Sequence, residues 1–364
     1  MTIDLKNFVK YAQIISIANR GDCSGNGSFL YFDPTNSRLV SLTEKAKIQI
    51  RTPFTGEGKD FVAYLPEISN ASKIYSEIDI SPDYSIINDG NKIKLTTYAN
   101  SKRVYEGFSI EAKEGNKLIL NKKAISFIRK AQAHTKDSDN NLVYQFIYCQ
   151  NGTLFASSLG RIYSVNYSKA IEEDIPDFII HSSVAQVVNA ISLATDKDVE
   201  ITITENSVVI QDSAGSIIVE FMGSNSVTYP PLLSETTQSR IERIENVSFL
   251  TIDLKDSIKF LMFYASDIKN NKTKLTVENG KAEFNIESKD VTKKIALKDS
   301  TLEVLSFSFN LSFLKEAIEH IEGEAVSIYT IDDNELEKEF KKPYRLSINP
   351  EIDEEIILSK ILVI

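Results

Sequence analysis

At 364 residues the chain is longer than one hydrophobic core normally supports, and 42% hydrophobic with 25% charged residues is the make-up of a folded globular protein. A formal net charge of −10 argues against a protein that grips nucleic acid over its whole surface, because phosphate binding needs a basic footprint. No stretch reaches the about 18 apolar residues that span a bilayer, and Met1 to Lys10 has no apolar leader-like core, so a cytoplasmic protein is expected. The two cysteines, Cys23 and Cys149, show no metal or redox spacing and are expected as reduced, buried thiols.

Taken in chain order, apolar spacing and start signals predict six helices, at Leu5–Ala18, Val62–Tyr75, Lys122–His134, Ser183–Ala194, Leu254–Ser266 and Leu311–Ile321. Their starts recur at intervals of about 60 residues, with one longer step after the fourth. One phrase occurs twice, as Thr2-Ile3-Asp4-Leu5-Lys6 and Thr251-Ile252-Asp253-Leu254-Lys255. It reads as an extended apolar dyad, an Asp that caps a helix, and the helix itself. Looser versions are Ile119-Leu120-Asn121-Lys122, Ile179-Ile180-His181-Ser182 and Phe307-Ser308-Phe309-Asn310-Leu311.

After each helix come alternating segments broken by turns, at Asp33-Pro34-Thr35-Asn36, Asp89-Gly90, Asn151-Gly152, Glu205-Asn206, Asn279-Gly280 and Asp332-Asp333-Asn334. Asn-Gly and Asp-Gly between alternating runs signal tight hairpins, because both residues tolerate positive φ. Lys274-Leu275-Thr276-Val277 with Ala282-Glu283-Phe284-Asn285-Ile286 is one such pair, and Glu200 to Ile203 with Ser207 to Ile210 is another. The unit is therefore strand, helix and three-stranded meander, repeated six times, in an α+β chain. Two units make a normal domain, which gives three: residues 1–115, 116–244 and 245–364. The second boundary follows Tyr229-Pro230-Pro231 and a polar run from Ser234 to Arg240.

Each helix is amphipathic enough to cover a meander. In the first, Leu5, Phe8, Val9, Ala12 and Ile15 share a face opposite Lys6, Lys10 and Gln13. In the third, Ile125, Ile128 and Ala131 face inward, with Ser126, Arg129, Lys130 and Lys136 outward. The charge is unevenly spread. Leu5 to Arg20 carries Lys6, Lys10 and Arg20 without an acid; Asn121 to Lys136 carries Lys122, Lys123, Arg129, Lys130 and Lys136 without one. The run Leu254 to Lys269 has Lys255, Lys259 and Lys269 against Asp256 and Asp267, and the even-numbered helices are near neutral or slightly acidic. Acid gathers in turns, as at Glu172-Glu173-Asp174 and Asp332 to Glu339. Lysines on an open helix face ordinarily only solvate it, but two acid-free helices in an acidic chain suggest a basic surface that attracts phosphate.

Catalytic signatures are missing. His134, His181 and His320 have no metal or nucleophile spacing, and a satisfied surface or capping role is expected of them. Gly56-Glu57-Gly58-Lys59 lacks phosphate-loop spacing, and Asp332-Asp333-Asn334-Glu335 lacks the calcium-loop pattern. No catalytic or metal residue, and no cofactor, is expected. The rival readings are an acidic β-rich repeat scaffold that binds proteins and not DNA, and a hydrolase built from scattered carboxylates.

The pattern resembles the bacterial β sliding clamp family, the processivity subunit of DNA polymerase III, over the whole chain. Phe309-Asn310-Leu311-Ser312-Phe313-Leu314-Lys315-Glu316-Ala317-Ile318 resembles the family's Phe-Asn-x-x-Tyr-Leu-x-x-Ala-Leu. Asn151 to Ile162 is similar to its Gly-x-Leu-x-x-x-Ala-Thr-Asp-Gly-His-Arg-Leu segment, with the acidic and His positions replaced. Phe108-Ser109-Ile110 stands where the family has a first-domain edge strand. The resemblance implies a DNA-clamp fold of three tandem domains, closed as a head-to-tail homodimer into a ring around double-stranded DNA, without sequence preference. It implies polymerase and clamp-loader partners that bind through a short peptide, and no membrane.

By the same resemblance, the DNA-lining candidates are Lys6, Lys10, Arg20, Lys73, Lys122, Arg129, Lys136, Lys197, Lys255 and Lys259. The dimer-interface candidates are Ile74, Tyr75, Phe108 and Ile110 against Phe260, Phe263 and Tyr264. The peptide-groove candidates are Ser157, Arg161, Ile162, Leu232, Leu233, Leu358, Ile361 and Leu362. The chain ends Ser359-Lys360-Ile361-Leu362-Val363-Ile364 where the family has a Pro-Met-Arg-Leu-like tail, a departure that suits a phage-encoded or otherwise atypical bacterial clamp.

Overall fold

A computed structural model of the chain describes residues 2–4, 7–20, 26–52, 54–55, 58–75, 77–80, 85–88, 91–96, 105, 108–136, 142–158, 161–173, 175–223, 243–265, 272–286, 290–300, 304–319, 321, 323–331 and 344–358. Among them are α1 (Phe8–Ala18), α2 (Leu65–Ser72), α3 (Lys122–Gln132), α4 (Tyr167–Ile171), α5 (Ser182–Thr195), α6 (Thr251–Ala265) and α7 (Leu311–Glu319).

All of these except α4 stand in the same context. A strand leads in: Thr2–Asp4, Phe61–Tyr64, Asn116–Leu120, Phe178–His181, Arg243–Leu250 and Val304–Asn310. A three-stranded meander follows. The meanders begin at Phe29–Asp33, Glu77–Ile80, Phe146–Gln150, Val199–Ile203, Lys272–Glu278 and Ala325–Ile331.

The lead-in strands pair crosswise. Thr2–Asp4 joins Glu77–Ile80, while Phe61–Tyr64 joins Phe29–Asp33. Asn116–Leu120 joins Val199–Ile203, and Phe178–His181 lies beside Phe146–Gln150. Arg243–Leu250 joins Ala325–Ile331, and Val304–Asn310 joins Lys272–Glu278. Each copy thus donates its first strand to the meander of its neighbour, and the copies are tied together two by two.

The chain divides into two compact units, Met1–Arg129 with Ile180–Ser226, and Lys130–Ile179 with Val227–Ile364. In the first, strands Ile217–Met222 and Ala46–Arg51 pair antiparallel, fusing two meanders into an eight-stranded sheet. Glu220 lies opposite Lys47 in that seam. In the second, Arg161–Asn166 pairs with Glu354–Leu358 inside a nine-stranded sheet. Among the described residues there are also smaller sheets of five and four strands.

Capping follows the predicted logic at three starts. Asn121 Oδ1 accepts from the Ala124 N–H at 2.9 Å, His181 Nδ1 from the Ser183 N–H at 3.1 Å, and Asn310 Oδ1 from the Ser312 N–H at 3.0 Å. Hairpins close at Asn151-Gly152, with φ of 49° and 71°, and at Asn279-Gly280, with φ of 52° and 70°. A Cβ on Gly152 would also come within 2.6 Å of Ser168 Oγ, so this position excludes a side chain twice over. Asp89-Gly90 and Asp332 to Asn334 lie outside the described residues.

Several expectations need correction. The repeated phrase does not adopt one structure: Thr2–Asp4 is a strand, whereas Thr251 already opens α6. Strand pairing runs through Leu250, so Asp253 falls in the first helical turn, where the helix dipole favours an acid. Helix α2 begins at Leu65 because Phe61, Val62 and Ala63 are consecutively buried as a strand, and Pro66 fits the first turn, where no N–H is needed. Val9 is 48% exposed, and Ile14 takes the core place assigned to it. Lys130 is half-buried, not outward, and bonds Glu354 at 2.8 Å. His134 is buried against Tyr163, with ring centroids 5.3 Å apart, rather than at the surface. Phe108–Ile110 forms no strand; Phe108 packs beside Tyr31, Val40, Val62 and Tyr105. Helix α4 is too short for periodicity to reveal, and it is capped by Asn166 Oδ1 accepting from the Lys169 N–H.

Candidate nucleic-acid interface

The basic side chains of the first unit gather around two packed helices. Helix α1 packs on α5, and α2 touches α1. Helix α1 buries Phe8, Ala12, Ile14, Ile15 and Ala18, which leaves Lys10 and Arg20 in solvent. Helix α5 has no charged side chain along its 14 residues and presents Gln186 instead. The Arg20 guanidinium donates to Gln186 Oε1 at 3.3 Å, and Lys10 Nζ lies 3.5 Å from the Ala194 carbonyl oxygen.

At the same end of α5, Lys122 Nζ meets Asp196 Oδ1 at 2.7 Å. Lys197 Nζ stands 3.8 Å from Asp212 Oδ2. Lysines from α1, from α3 and from just past α5 therefore converge where the last carbonyls of a helix concentrate negative potential. The Lys122 hydrogen bond and charge, with Lys10 adding its own, hold the Asp196 carboxyl below the usual carboxylate range. Charge summed over helices alone does not find Asp196, which lies in the turn just past α5. An acid right after a helix end, beside Lys197, was the available signal.

The other predicted lining residues are more dispersed. Lys73 ends α2 and bonds Asn70 Oδ1 at 3.1 Å. Arg129 and Lys136 are exposed. In the second unit, Lys259 is exposed, 3.5 Å from Asp256, whereas half-buried Lys255 donates to the Glu319 and Ile321 carbonyls at 3.1 and 2.7 Å. Lys255 thus caps the end of α7 with its charge, a structural task that sequence alone did not suggest. Lys6 lies outside the described residues.

Of the groove candidates, adjacent strands bring four backbones together: Ser157 opposes Ile162, and Arg161 opposes Leu358. Arg161 is 8% exposed; its Nε donates to Ser158 Oγ at 2.8 Å and its guanidinium pairs with Glu316 on α7. Leu232, Leu233, Ile361 and Leu362 are outside the described residues. Of the interface candidates, Ile74 is 74% exposed, while Tyr75, Phe108 and Ile110 are half-buried. On α6, Phe260, Phe263 and Tyr264 form an exposed aromatic cluster, with Tyr264 5.0 Å from Phe260 and 5.3 Å from Phe263 between ring centroids. Lys293 Nζ lies over Phe260, 5.2 Å from its centroid.

Cys149 is buried, which pushes its thiol up to about 12, and Cys23 lies outside the described residues. Among the described residues no group of His, Cys, Asp and Glu is placed to hold a metal, and no helix is long and apolar enough to cross a membrane.

Six strand–helix–meander copies, cross-paired two by two and fused through shared sheets, define the DNA-clamp fold of α+β proteins. Solved sliding clamps share that fold with this chain from end to end. The DNA polymerase III β chain of Streptococcus pneumoniae matches with a TM-score of 0.76 at 16% identity, over 99% of this chain and 98% of its own. The β subunit from Thermotoga maritima matches at 0.78 and 14%, over 100% and 99%. The DNA polymerase sliding clamp from Bacillus subtilis matches at 0.74 and 14%, over 100% and 99%. No family model matches the sequence, and no curated protein matches it. The likeness is one of fold, and fold alone does not assign function.

Proposed function

We propose that the chain is a DNA sliding clamp, a polymerase processivity factor without catalytic activity or cofactor. Two copies join head to tail, and three clamp domains from each (1–115, 116–244 and 245–364) close a ring around duplex DNA in the cytoplasm. The observation that carries this reading is end-to-end likeness to sliding clamps, 98–100% of both chains, in a protein whose acid-free helical faces present Lys10, Arg20, Lys122 and Arg129. A ring needs only weak, sequence-independent attraction to phosphate, because topology supplies retention. Few lysines suffice, and an acidic body discourages DNA from binding elsewhere.

The aromatic cluster on α6 is proposed as one side of the dimer contact and Ile74, Tyr75, Phe108 and Ile110 as the other. Polymerase and clamp loader would bind by a short peptide near Ser157, Ile162 and Leu358. Arg161, with Glu316, would brace the floor of that groove rather than read the peptide, since its guanidinium is already engaged.

Fluorescence anisotropy with unrelated labelled duplexes tests the reading. All sequences should bind alike, weakly, and with an affinity that falls steeply with salt. A strong preference for one sequence, or no binding at low salt, would contradict it.

A further inference from the structure

The lysines of the candidate DNA face are not waiting empty. Lys122 rests on Asp196, Lys10 on the carbonyl end of α5, and Lys197 near Asp212. The three anchors differ in kind. Asp212 is fully buried and its Oδ1 accepts from the Ile217 N–H at 2.7 Å, so it serves the fold. The Ala194 carbonyl is backbone and cannot be tuned by substitution. The Asp196 side chain is 86% exposed, on a residue whose φ of 56° and ψ of 30° fit Asn or Gly at a helix end at least as well. The backbone gives no reason for an acid there, and the helix dipole disfavours one, since negative charge at a helix C-terminus adds to the potential of the last carbonyls.

We propose that Asp196 is a built-in competitor for DNA phosphate, holding Lys122 when no phosphate is present and exchanging it for phosphate as duplex passes. The inference rests on the DNA-binding reading above. Carboxylate and phosphate are both oxyanions that accept from the same ammonium, so the transfer replaces one charge-assisted bond by another. Net attraction to any one phosphate is thereby small, and the energy profile along the duplex is flattened. A face of lysines with no internal partner would bind each phosphate more strongly and would slide less freely. Asp196 therefore sets how tightly the face holds DNA, without reading sequence.

The test is anisotropy of the full chain against a fluorescein-labelled duplex over a series of salt concentrations. Asp196→Asn should bind roughly two- to five-fold more tightly at low salt, the range expected for releasing one exposed ion pair. Its log–log salt slope should steepen by about one ion. Asp196→Gly, also suited to positive φ, should reproduce the gain, and thermal melting should show both variants folded. Asp198→Asn, which removes an exposed acid two residues away, should stay near wild type. Adding Lys122→Gln to Asp196→Asn should abolish the gain. The proposal is overturned if Asp196→Asn matches wild type, if Asp198→Asn gains equally, or if the gain survives loss of Lys122. Failure of wild type to bind duplex at all would overturn the DNA-binding reading itself, and the wild-type curve alone reports that.

Discussion

Glu220 carries its charge into a position where its side chain is 2% exposed, between Lys47 at 3.1 Å and Lys113. Burial works against that charge, but hydrogen bonds from Lys113 and Lys47 outweigh it and hold the carboxyl below its ordinary 4.5. A group whose folded pKa is depressed stabilises the fold above its unfolded value, and that contribution fades as pH falls through the folded one. Stability should therefore decline below about pH 4.5 in wild type, and that part of the decline should vanish in Glu220→Gln. At neutral pH the substitution should cost about 1–3 kcal/mol, since it leaves two lysines against a neutral amide in the seam. Urea melts of both proteins across pH check this, and identical pH profiles would contradict it. Sequence reading missed Glu220 because an isolated Glu in an apolar run looks like any outward strand residue. Only the partner strand, about 170 residues away, makes it a seam residue.

At the scale of elements, local signals were the legible ones. Asn121, Asn310 and the two Asn-Gly turns act through neighbours a few residues off, so their chemistry is visible in the chain itself. Burial set by distant strands is not: Val62 and Ala63 fit the start of a helix by spacing alone, and only the pairing with Phe29–Asp33 makes them strand, just as Glu354 draws in a Lys130 that spacing places outward. The basic character of α1 and α3 was legible, whereas the acid that restrains it, in a turn, was not. Charge on these helices should act additively on phosphate. Lys10→Gln and Arg129→Gln should each weaken binding equally across duplex sequences and reduce the salt slope by about one; an altered sequence preference would count against a backbone-only contact. On α6, Phe263 is 77% exposed, so Phe263→Asp should change monomer stability by no more than about 0.5 kcal/mol. In the proposed dimer contact the same substitution should weaken association by about 2 kcal/mol, read as a shift in sedimentation mass with concentration. A variant that sediments like wild type would move the contact elsewhere.

At the scale of the molecule, crosswise exchange of lead-in strands makes each pair of copies interdependent, and the two shared sheets carry that continuity along the chain. Such an architecture tolerates sequence drift, because alternation, caps and turns can be met by many residues. That is how 14–16% identity coexists with end-to-end likeness to solved clamps. The proposed ring requires that two copies enclose DNA rather than merely adhere to it. The most direct measurement is retention on nicked circular duplex at high salt, where screening removes most direct phosphate attraction, before and after the circle is cut once. Enclosure predicts that protein stays with the circle and leaves when the DNA becomes linear. Equal loss from circle and linear DNA would contradict it.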